Sequence, residues 1–162
     1  MSHPVVKLSR KQFAGGAILA AGAALFLRGQ ASAGNGSPAD DAHWRKVLTP
    51  EQYHILRENG TEAPYSSPLL KEHRAGTYFC VACALPLFSS KTKFDADEGW
   101  PSFYAPLPGA LKQRSDYELV EERTEVHCAR CSGHLGHVFD DGPKPTGLRY
   151  CIDGVALRFR PS

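Results

Sequence analysis

Methionine is almost missing from this sequence: of the 162 residues, the only one is Met1. A mature form that lacks Met1 therefore offers oxidants no thioether. The first 33 residues contain no Asp or Glu but hold four of the 19 Lys and Arg, so the rest of the chain has 15 basic and 17 acidic residues and a net charge of −2. Nucleic-acid binding requires a basic surface on the folded part, and this composition argues against it.

A long hydrophobic run is missing as well. The most apolar stretch, residues 13–27, has about 15 residues, whereas a membrane-spanning helix requires about 20. Three basic residues precede this stretch, and the small residues 31–33 follow it. This pattern predicts an export signal over residues 1–33, cleaved before Gly34, and an uncleaved membrane anchor is the alternative.

The start of the chain also bears on localisation. Residues 9–13 (SRKQF) are similar to a twin-arginine signal in which Lys11 replaces the second arginine, and this departure leaves the export route undecided. We expect an exported, periplasmic protein with no stable membrane insertion once the signal is removed.

The length allows one domain of ordinary size. Residues 34–43 are small and polar and predict a linker, which leaves residues 44–162 as the domain. Thr49 followed by Pro50, with Gln52 three residues after the threonine, is a helix-start signature. We expect this short helix to end near Asn59.

After Gly76 the sequence changes to short runs of β-branched and aromatic residues separated by Pro and Gly. Runs of this kind predict strands, and their spacing predicts antiparallel sheets. The predicted strands are residues 77–80, 85–89, 102–104, 117–120, 124–127, 135–139, 148–152 and 155–159.

Four of the five cysteines form two CxxC pairs, and the fifth stands alone. Each CxxC turn places two sulfurs on one side of an ion, and two such turns complete the tetrahedron that zinc prefers. The sequence therefore predicts one structural zinc ion per chain, without an open coordination position. Two redox disulfides, which an oxidising compartment would favour, are the alternative. The predicted zinc ligands are Cys80, Cys83, Cys128 and Cys131.

The lone cysteine, Cys151, lies in a predicted strand. Because side chains alternate along a strand, Arg149, Cys151 and Asp153 should share one face. The Arg149 guanidinium favours the thiolate of Cys151, whereas the Asp153 carboxylate opposes it. A free cysteine can equally be a small buried hydrophobe, and the local sequence does not decide between the two.

Two histidines near this strand favour a reactive site. His134 and His137 are three residues apart and can carry protons near neutral pH. Taken alone, surface histidines or a second metal pair would explain them as well. The clustering of two histidines and a thiol in one short span indicates catalysis.

Four blocks of the sequence resemble the methionine-R-sulfoxide reductases, the type B peptide-methionine (R)-S-oxide reductases. The similarity extends from about Trp44 to Phe159, nearly all of the predicted mature chain. In chain order the blocks are Cys80-x-x-Cys83, GWPSF at 99–103, HLGHVFDDGP at 134–143 and TGLRYCI at 146–152.

The resemblance implies a mainly β fold of two antiparallel sheets, of the Mss4-like or β-tent type, with short N-terminal helices. It implies zinc on the four CxxC cysteines, away from the active site, and Cys151 as the nucleophile. Trp100 would pack against the methyl group of the substrate, and the pocket would be lined by His134, His137, Arg149 and Asp153.

The implied reaction is attack of the Cys151 thiolate on the sulfoxide sulfur, while a pocket acid protonates the oxygen. Methionine leaves, and Cys151 becomes a sulfenic acid. Oxidised proteins are the expected substrates of what we expect to be a monomer. A non-catalytic, zinc-stabilised interaction module on the same scaffold is the alternative function, and it would tolerate loss of the Cys151 thiol.

The chain departs from the family at two positions. The family usually has Asn where this chain has Asp153, and an ionised carboxylate cannot donate a hydrogen bond as an amide does. We expect Asp153 to bind Arg149. Many members also carry a resolving cysteine where this chain has Glu98, so we expect a thioredoxin-like protein or a small thiol to reduce the sulfenic acid directly.

Overall fold

The structure, a computed structural model, describes residues 38–116 and 123–162. The predicted signal (1–33), the first residues of the predicted linker (34–37) and the predicted strand 117–120 lie outside this part of the chain. In the described part, no helix has both the length and the apolar character that crossing a membrane requires.

Two α-helices begin the described chain, α1 (Pro38–Val47) and α2 (Pro50–Glu58). Residues 38–43, which the sequence assigned to a linker, belong to α1. The helix start at Thr49 is confirmed as a full capping box: the Thr49 hydroxyl accepts from the Gln52 N–H, and the Gln52 amide oxygen accepts from the Thr49 N–H. Asn59 ends α2 in a left-handed conformation, as expected.

Nine strands in the described residues form two antiparallel sheets, as predicted. The smaller sheet has the order β2-β1-β9, and the larger has the order β3-β4-β8-β7-β6-β5. The strands are β1 (Gly76–Cys80), β2 (Pro86–Ser89), β3 (Lys93–Phe94), β4 (Ser102–Phe103), β5 (Leu111–Asp116), β6 (Arg123–Cys128), β7 (His134–Phe139), β8 (Arg149–Ile152) and β9 (Leu157–Pro161).

The predicted strands in the described residues correspond to observed ones, with three differences. β3 and the polar strand β5 (LKQRSD) were not predicted. β9 begins at Leu157 rather than at Val155, because Gly154–Ala156 forms a 3₁₀ turn. β5 is an edge strand, and charged side chains on an edge protect it from pairing with other chains.

Aromatic side chains join the two sheets. Phe88 of β2 stacks on Phe103 of β4, with ring centroids 4.3 Å apart, and Tyr78 of β1 meets the Phe103 ring edge-on at 4.9 Å. Tyr150 of β8 completes the group, 6.0 Å from Phe88. All four rings are buried. Since burial of one such side chain contributes roughly 1.5–3 kcal/mol, this layer holds the sheets together.

β7 and β8 come very close at Gly136. A Cβ atom at this position would lie 2.1 Å from the carbonyl oxygen of Cys151, and the Gly136 φ of +140° is one that other residues rarely adopt. The next residue, His137, is the register partner of Cys151. Glycine at position 136 therefore permits the strand contact that brings His137 and Cys151 to one face of the sheet.

We expect Gly136→Ala to lower the free energy of unfolding by about 3 kcal/mol or more, because β7 must move away from β8. Gly109→Ala is the matched control, since Gly109 also has a positive φ (+68°) but nothing within 4 Å of the added methyl group. The control should cost about 1 kcal/mol. Urea unfolding of both variants measures the difference, and equal losses would contradict this account of Gly136.

Candidate functional site

The four CxxC cysteines meet in one cluster, between the turn that follows β1 and the turn that follows β6. The two turns have the same hydrogen bonds. The Cys80 carbonyl accepts from the Ala84 N–H and the Cys128 carbonyl from the Ser132 N–H, both at 2.9 Å. Ala84 and Ser132 are both left-handed, with φ of 56° and 55°. Each turn therefore points two sulfurs inward.

The sulfur geometry fits a tetrahedral metal site. The Sγ–Sγ distances are 3.7 Å for Cys80–Cys131 and 3.5 Å for Cys83–Cys128, and all four Sγ atoms lie within 4.8 Å of one another. Bonds of about 2.3 Å from zinc to sulfur give sulfurs about 3.8 Å apart in a tetrahedron. Disulfide sulfurs would be about 2.05 Å apart, and all five cysteines are free. The cluster could hold a metal ion.

Two arginines bind the backbone carbonyls of Cys83 and Cys131, the two partly exposed cysteines of this cluster. Arg130 donates to the Cys83 carbonyl and Arg57 to the Cys131 carbonyl, both at 2.9 Å. Arg57 belongs to α2 and lies over the Trp44 ring of α1 at 4.0 Å. Both helices therefore help to hold the second cysteine turn in place.

Cys151 lies apart from the cluster, in a cavity of about 130 Å³ on the exposed face of the larger sheet. The alternation predicted for β8 is confirmed, because Tyr150 and Ile152 are buried in the core while Cys151 and Asp153 line the cavity. The other lining residues are Thr61, Trp100, Arg123, Gly136, His137 and Phe139.

Burial raises the pKa of the Cys151 thiol to about 11. The Arg149 guanidinium opposes this shift, as the sequence predicted, whereas the carboxylates of Asp153 and Glu98 add to it. Desolvation is the largest of these effects. Cys151 therefore keeps its proton at neutral pH, and a reaction of its thiolate needs a nearby base.

His137 faces the Cys151 thiol from the neighbouring strand. It lines the cavity, opposite Cys151 in the β7–β8 register, and its Nε2 lies 2.8 Å from Asp116 Oδ2. Asp116 also accepts from Arg123 at 2.6 Å. Since a carboxylate only accepts, the His137 proton is on Nε2 and Nδ1 is free to accept another. Desolvation lowers the His137 pKa and favours this neutral ring.

His134 is held in the same manner but lies deeper. It does not line the cavity, and it is 2% exposed. Its Nδ1 lies 2.8 Å from Glu125 Oε1, and Glu125 in turn pairs with Arg114. The His134 and His137 rings meet edge-on, 5.5 Å apart. Two hydrogen-bonded series therefore lie side by side on the sheet, Arg123–Asp116–His137 and Arg114–Glu125–His134.

The expected pairing of Arg149 with Asp153 is wrong. Arg149 makes a two-pronged bond to Asp141 instead, with Nε–Oδ1 and Nη2–Oδ2 distances of 2.8 and 2.7 Å. Its guanidinium also lies 4.4 Å from the centre of the Phe139 ring. These contacts hold Arg149 beside Cys151 but outside the cavity lining.

Asp153 is bound from the other side, by Glu62. The Glu62 N–H donates to Asp153 Oδ1 at 2.9 Å, and the Glu62 carboxylate accepts from the N–H groups of Gly154 and Val155. The Glu62 carbonyl accepts from the Trp100 indole at 3.1 Å. One residue therefore fixes two walls of the cavity, Trp100 and Asp153.

Sequence reasoning missed Glu62, which lies in a polar stretch with no strand or helix pattern. It also missed Thr61, Arg123 and Phe139 as lining residues. Phe139 is the register partner of Arg149. The β7–β8 register, if assumed from the sequence, could have indicated Phe139. Thr61 lines the cavity, and Glu62 binds its walls, only because the tertiary fold brings them there.

Comparisons with known proteins agree with this site. The SelR domain family matches residues 48–161. The peptide methionine sulfoxide reductase MsrB of Agrobacterium fabrum is 57% identical over 122 residues, 75% of this chain and 90% of that protein. The proteins of the same name from Leptospira interrogans and Methanosarcina barkeri are 53% and 51% identical, over 74% of this chain and 92% and 85% of their own lengths.

Among solved structures, the Yippee-like domain of Mis18 is similar with a TM-score of 0.46 at 12% identity, over 55% of this chain and 98% of that one. This structural similarity is too low to support a conclusion about the protein, whereas the family match covers most of the chain. The chain belongs to the methionine-R-sulfoxide reductases, the family of peptide methionine (R)-S-oxide reductases.

Proposed function

We propose that Cys151 is the nucleophile of this reductase and that methionine-R-sulfoxide in oxidised proteins is its substrate. The observation that carries the proposal is the position of Cys151, the cysteine outside the sulfur cluster, in a cavity that also contains Trp100 and His137. An indole wall suits the methyl group of the substrate, and the imidazole suits proton transfer.

The reaction begins when His137 Nδ1 takes the proton of the Cys151 thiol. The thiolate attacks the sulfoxide sulfur, and an acid in the cavity protonates the sulfoxide oxygen. The hydroxyl group then passes to the Cys151 sulfur as methionine leaves, so that sulfoxide is reduced and thiol is oxidised to sulfenic acid. Arg149 supports the thiolate by its charge, and Asp141 keeps the guanidinium in place.

Replacing the nucleophile tests this function. We expect Cys151→Ser to lose about a thousandfold or more in activity toward a peptide with R-methionine sulfoxide, because the hydroxyl is a far weaker nucleophile. The wild-type protein should reduce the R epimer and not the S epimer. Turnover is measured with a dithiol reductant, and an unchanged melting temperature of the variant is the control. Full activity of Cys151→Ser would rule out Cys151 as the nucleophile, and a folded wild-type protein that reduces neither epimer would instead point to the interaction module.

The sulfenic acid is recycled, in this proposal, by an outside thiol. The other four cysteines lie in the cluster, and Glu98 stands where many relatives carry a resolving cysteine. Two outside thiols reduce the sulfenic acid to thiol, forming one disulfide and one water molecule. A thioredoxin-like protein or a small thiol can supply them.

A substitution at position 98 tests the one-thiol cycle. After one turnover without reductant, mass spectrometry of the wild-type protein should show Cys151 with one added oxygen and no internal disulfide. Glu98→Cys should instead give a disulfide to Cys151. Glu98→Ser is the matched control, because it removes the charge that raises the Cys151 pKa without adding a thiol. An internal disulfide in wild-type protein would rule out the cycle.

The metal of the cluster is, we propose, zinc. The supporting observation is a closed set of four sulfurs at tetrahedral spacing, which suits a structural zinc ion. Such an ion would join the turn after β1, in the smaller sheet, to the turn after β6, in the larger. It supplies stability, since no coordination position is left for water.

Metal analysis of the purified protein should find one zinc ion per chain. Cys131→Ser removes one ligand and should lower the melting temperature by about 10 °C or more. Cys151→Ser is the control, because it removes a thiol that is not in the cluster, and it should keep both the zinc and the melting temperature. Protein that contains no zinc and keeps its full stability would contradict this proposal.

We also propose export to the periplasm, with residues 1–33 as a cleaved signal. The basic start, the short apolar stretch and the small residues at 31–33 support this proposal. The N-terminal residue of the exported protein tests it, and a first residue other than Gly34 or its immediate neighbours would count against cleavage there.

A further inference from the structure

Asp153 is the position at which this chain carries a carboxyl group in place of an amide. Its side chain is 3% exposed, lines the Cys151 cavity and accepts one hydrogen bond, from the Glu62 N–H. An ionised carboxylate in such a place needs a cation, and a protonated one needs an acceptor. The surroundings of Asp153 show which of the two is present.

The arginines of this face are paired with other carboxylates. Arg114 pairs with Glu125, Arg123 with Asp116 and Arg149 with Asp141. Among the described residues, the group that faces Asp153 within 4.0 Å as an ionic neighbour is His134. In residues 38–116 and 123–162, no guanidinium is therefore in position to hold Asp153 as an anion, and the cation that could do so is a protonated His134.

His134 presents an acceptor to Asp153. Because the His134 Nδ1 proton points to Glu125, the lone pair of Nε2 is directed away from that carboxylate. Nε2 is buried, has no hydrogen-bond partner and lies 3.8 Å from Asp153 Oδ2. Two acceptors face each other across this distance unless one proton lies between them, and this proton makes the pair either a neutral acid beside an imidazole or a carboxylate beside an imidazolium.

We infer that Asp153 carries the proton that is delivered to the sulfoxide oxygen, and that His134, fixed by Glu125, is the positioning residue that holds this acid. The inference rests on Cys151 acting as the nucleophile. Burial also raises the pKa of Asp153 to about 6, against the hydrogen bond from Glu62 and the attraction of His134.

The protons balance over one turnover. His137 takes the thiol proton as the Cys151–sulfur bond forms, and the O–H bond of Asp153 breaks as the sulfoxide oxygen is protonated. That oxygen, now a hydroxyl group, leaves the methionine sulfur for the Cys151 sulfur. The proton on His137 then returns to Asp153. The single O–H of a neutral Asp153 thus turns from His134 to the sulfoxide oxygen when substrate binds, where the family has an amide, and it can release its proton, which an amide cannot.

The other charged or titratable groups that face Asp153 come from several elements. They are Glu62 after α2, Arg123 in β6, His134 and His137 in β7, and Arg149 and Cys151 in β8. Because each of these could shape a pH profile, the test compares two proteins that differ at Asp153 alone.

The experiment measures the second-order rate constant for the first turnover with an R-sulfoxide peptide, for the wild-type protein and for Asp153→Asn. Because an ionised Asp153 also raises the Cys151 pKa, the thiolate fraction of each protein is measured by its alkylation rate at each pH and divided out before the ratio is taken. The wild-type to variant ratio should be constant below about pH 6 and should fall about tenfold per pH unit above it, because Asp153 loses its proton there. The infrared spectrum of the wild-type protein should show a protonated carboxyl band that disappears over the same pH range and is missing in Asp153→Asn.

Glu62→Gln is a second variant, because the Glu62 carboxylate raises the Asp153 pKa, and it should move the break to lower pH without abolishing it. A ratio that does not change with pH, or a break that Glu62→Gln removes, overturns the inference. So does an infrared spectrum without a protonated carboxyl group below pH 6. These outcomes leave the role of Cys151 intact, whereas full activity of Cys151→Ser would remove the proposed function itself.

Discussion

The contact between β7 and β8 is the constraint on which the site depends. It exists because position 136 has no side chain, so the carbonyl oxygen of Cys151 can occupy the space that a Cβ would fill. The register that follows places His137 opposite Cys151 and Phe139 opposite Arg149. Thiol, imidazole and guanidinium thus come from two neighbouring strands, whose backbone hydrogen bonds keep them at fixed spacing.

The charged and titratable groups on this face are arranged in pairs. Each histidine faces a carboxylate, and each of those carboxylates faces an arginine, so both imidazoles have a defined tautomer. Arg149 has its own carboxylate in Asp141. Asp153 differs from these carboxylates, because its ionic neighbour in the described residues is a buried imidazole nitrogen and not an arginine.

Features set by local spacing were predictable from the sequence, whereas contacts between distant residues were not. Local spacing predicts that the two CxxC pairs meet in one cluster and that a helix starts at Thr49, and both predictions are confirmed. The resemblance to a known family identified the fold, and β8 alternates as a strand should. The partner of Arg149 was wrong, because same-face spacing on one strand indicated Asp153, whereas the bound carboxylate, Asp141, comes from the loop after β7.

Other misses have a related cause. β5 has almost no β-branched or aromatic residues, and it is a strand because β6 offers a free edge. α1 begins in a stretch typical of linkers and is fixed by tertiary contacts of Trp44 and Arg45. Glu62 has no pattern of its own, since its four partners are 38, 91, 92 and 93 residues away in the chain. Long-range contacts of single polar residues leave no periodic signal.

The hydrogen bonds of Glu62 limit how far the cavity can open for a substrate. Since Glu62 binds the Trp100 indole on one side of the cavity and the Asp153 side chain on the other, the cavity cannot widen between them without breaking these hydrogen bonds. The oxidised side chain must therefore adapt to the enzyme, by reaching out from a backbone that is itself free to bend. Damaged residues in tails, loops and partly unfolded proteins would be repaired first, while those locked in a packed interior would wait until the surrounding protein opens.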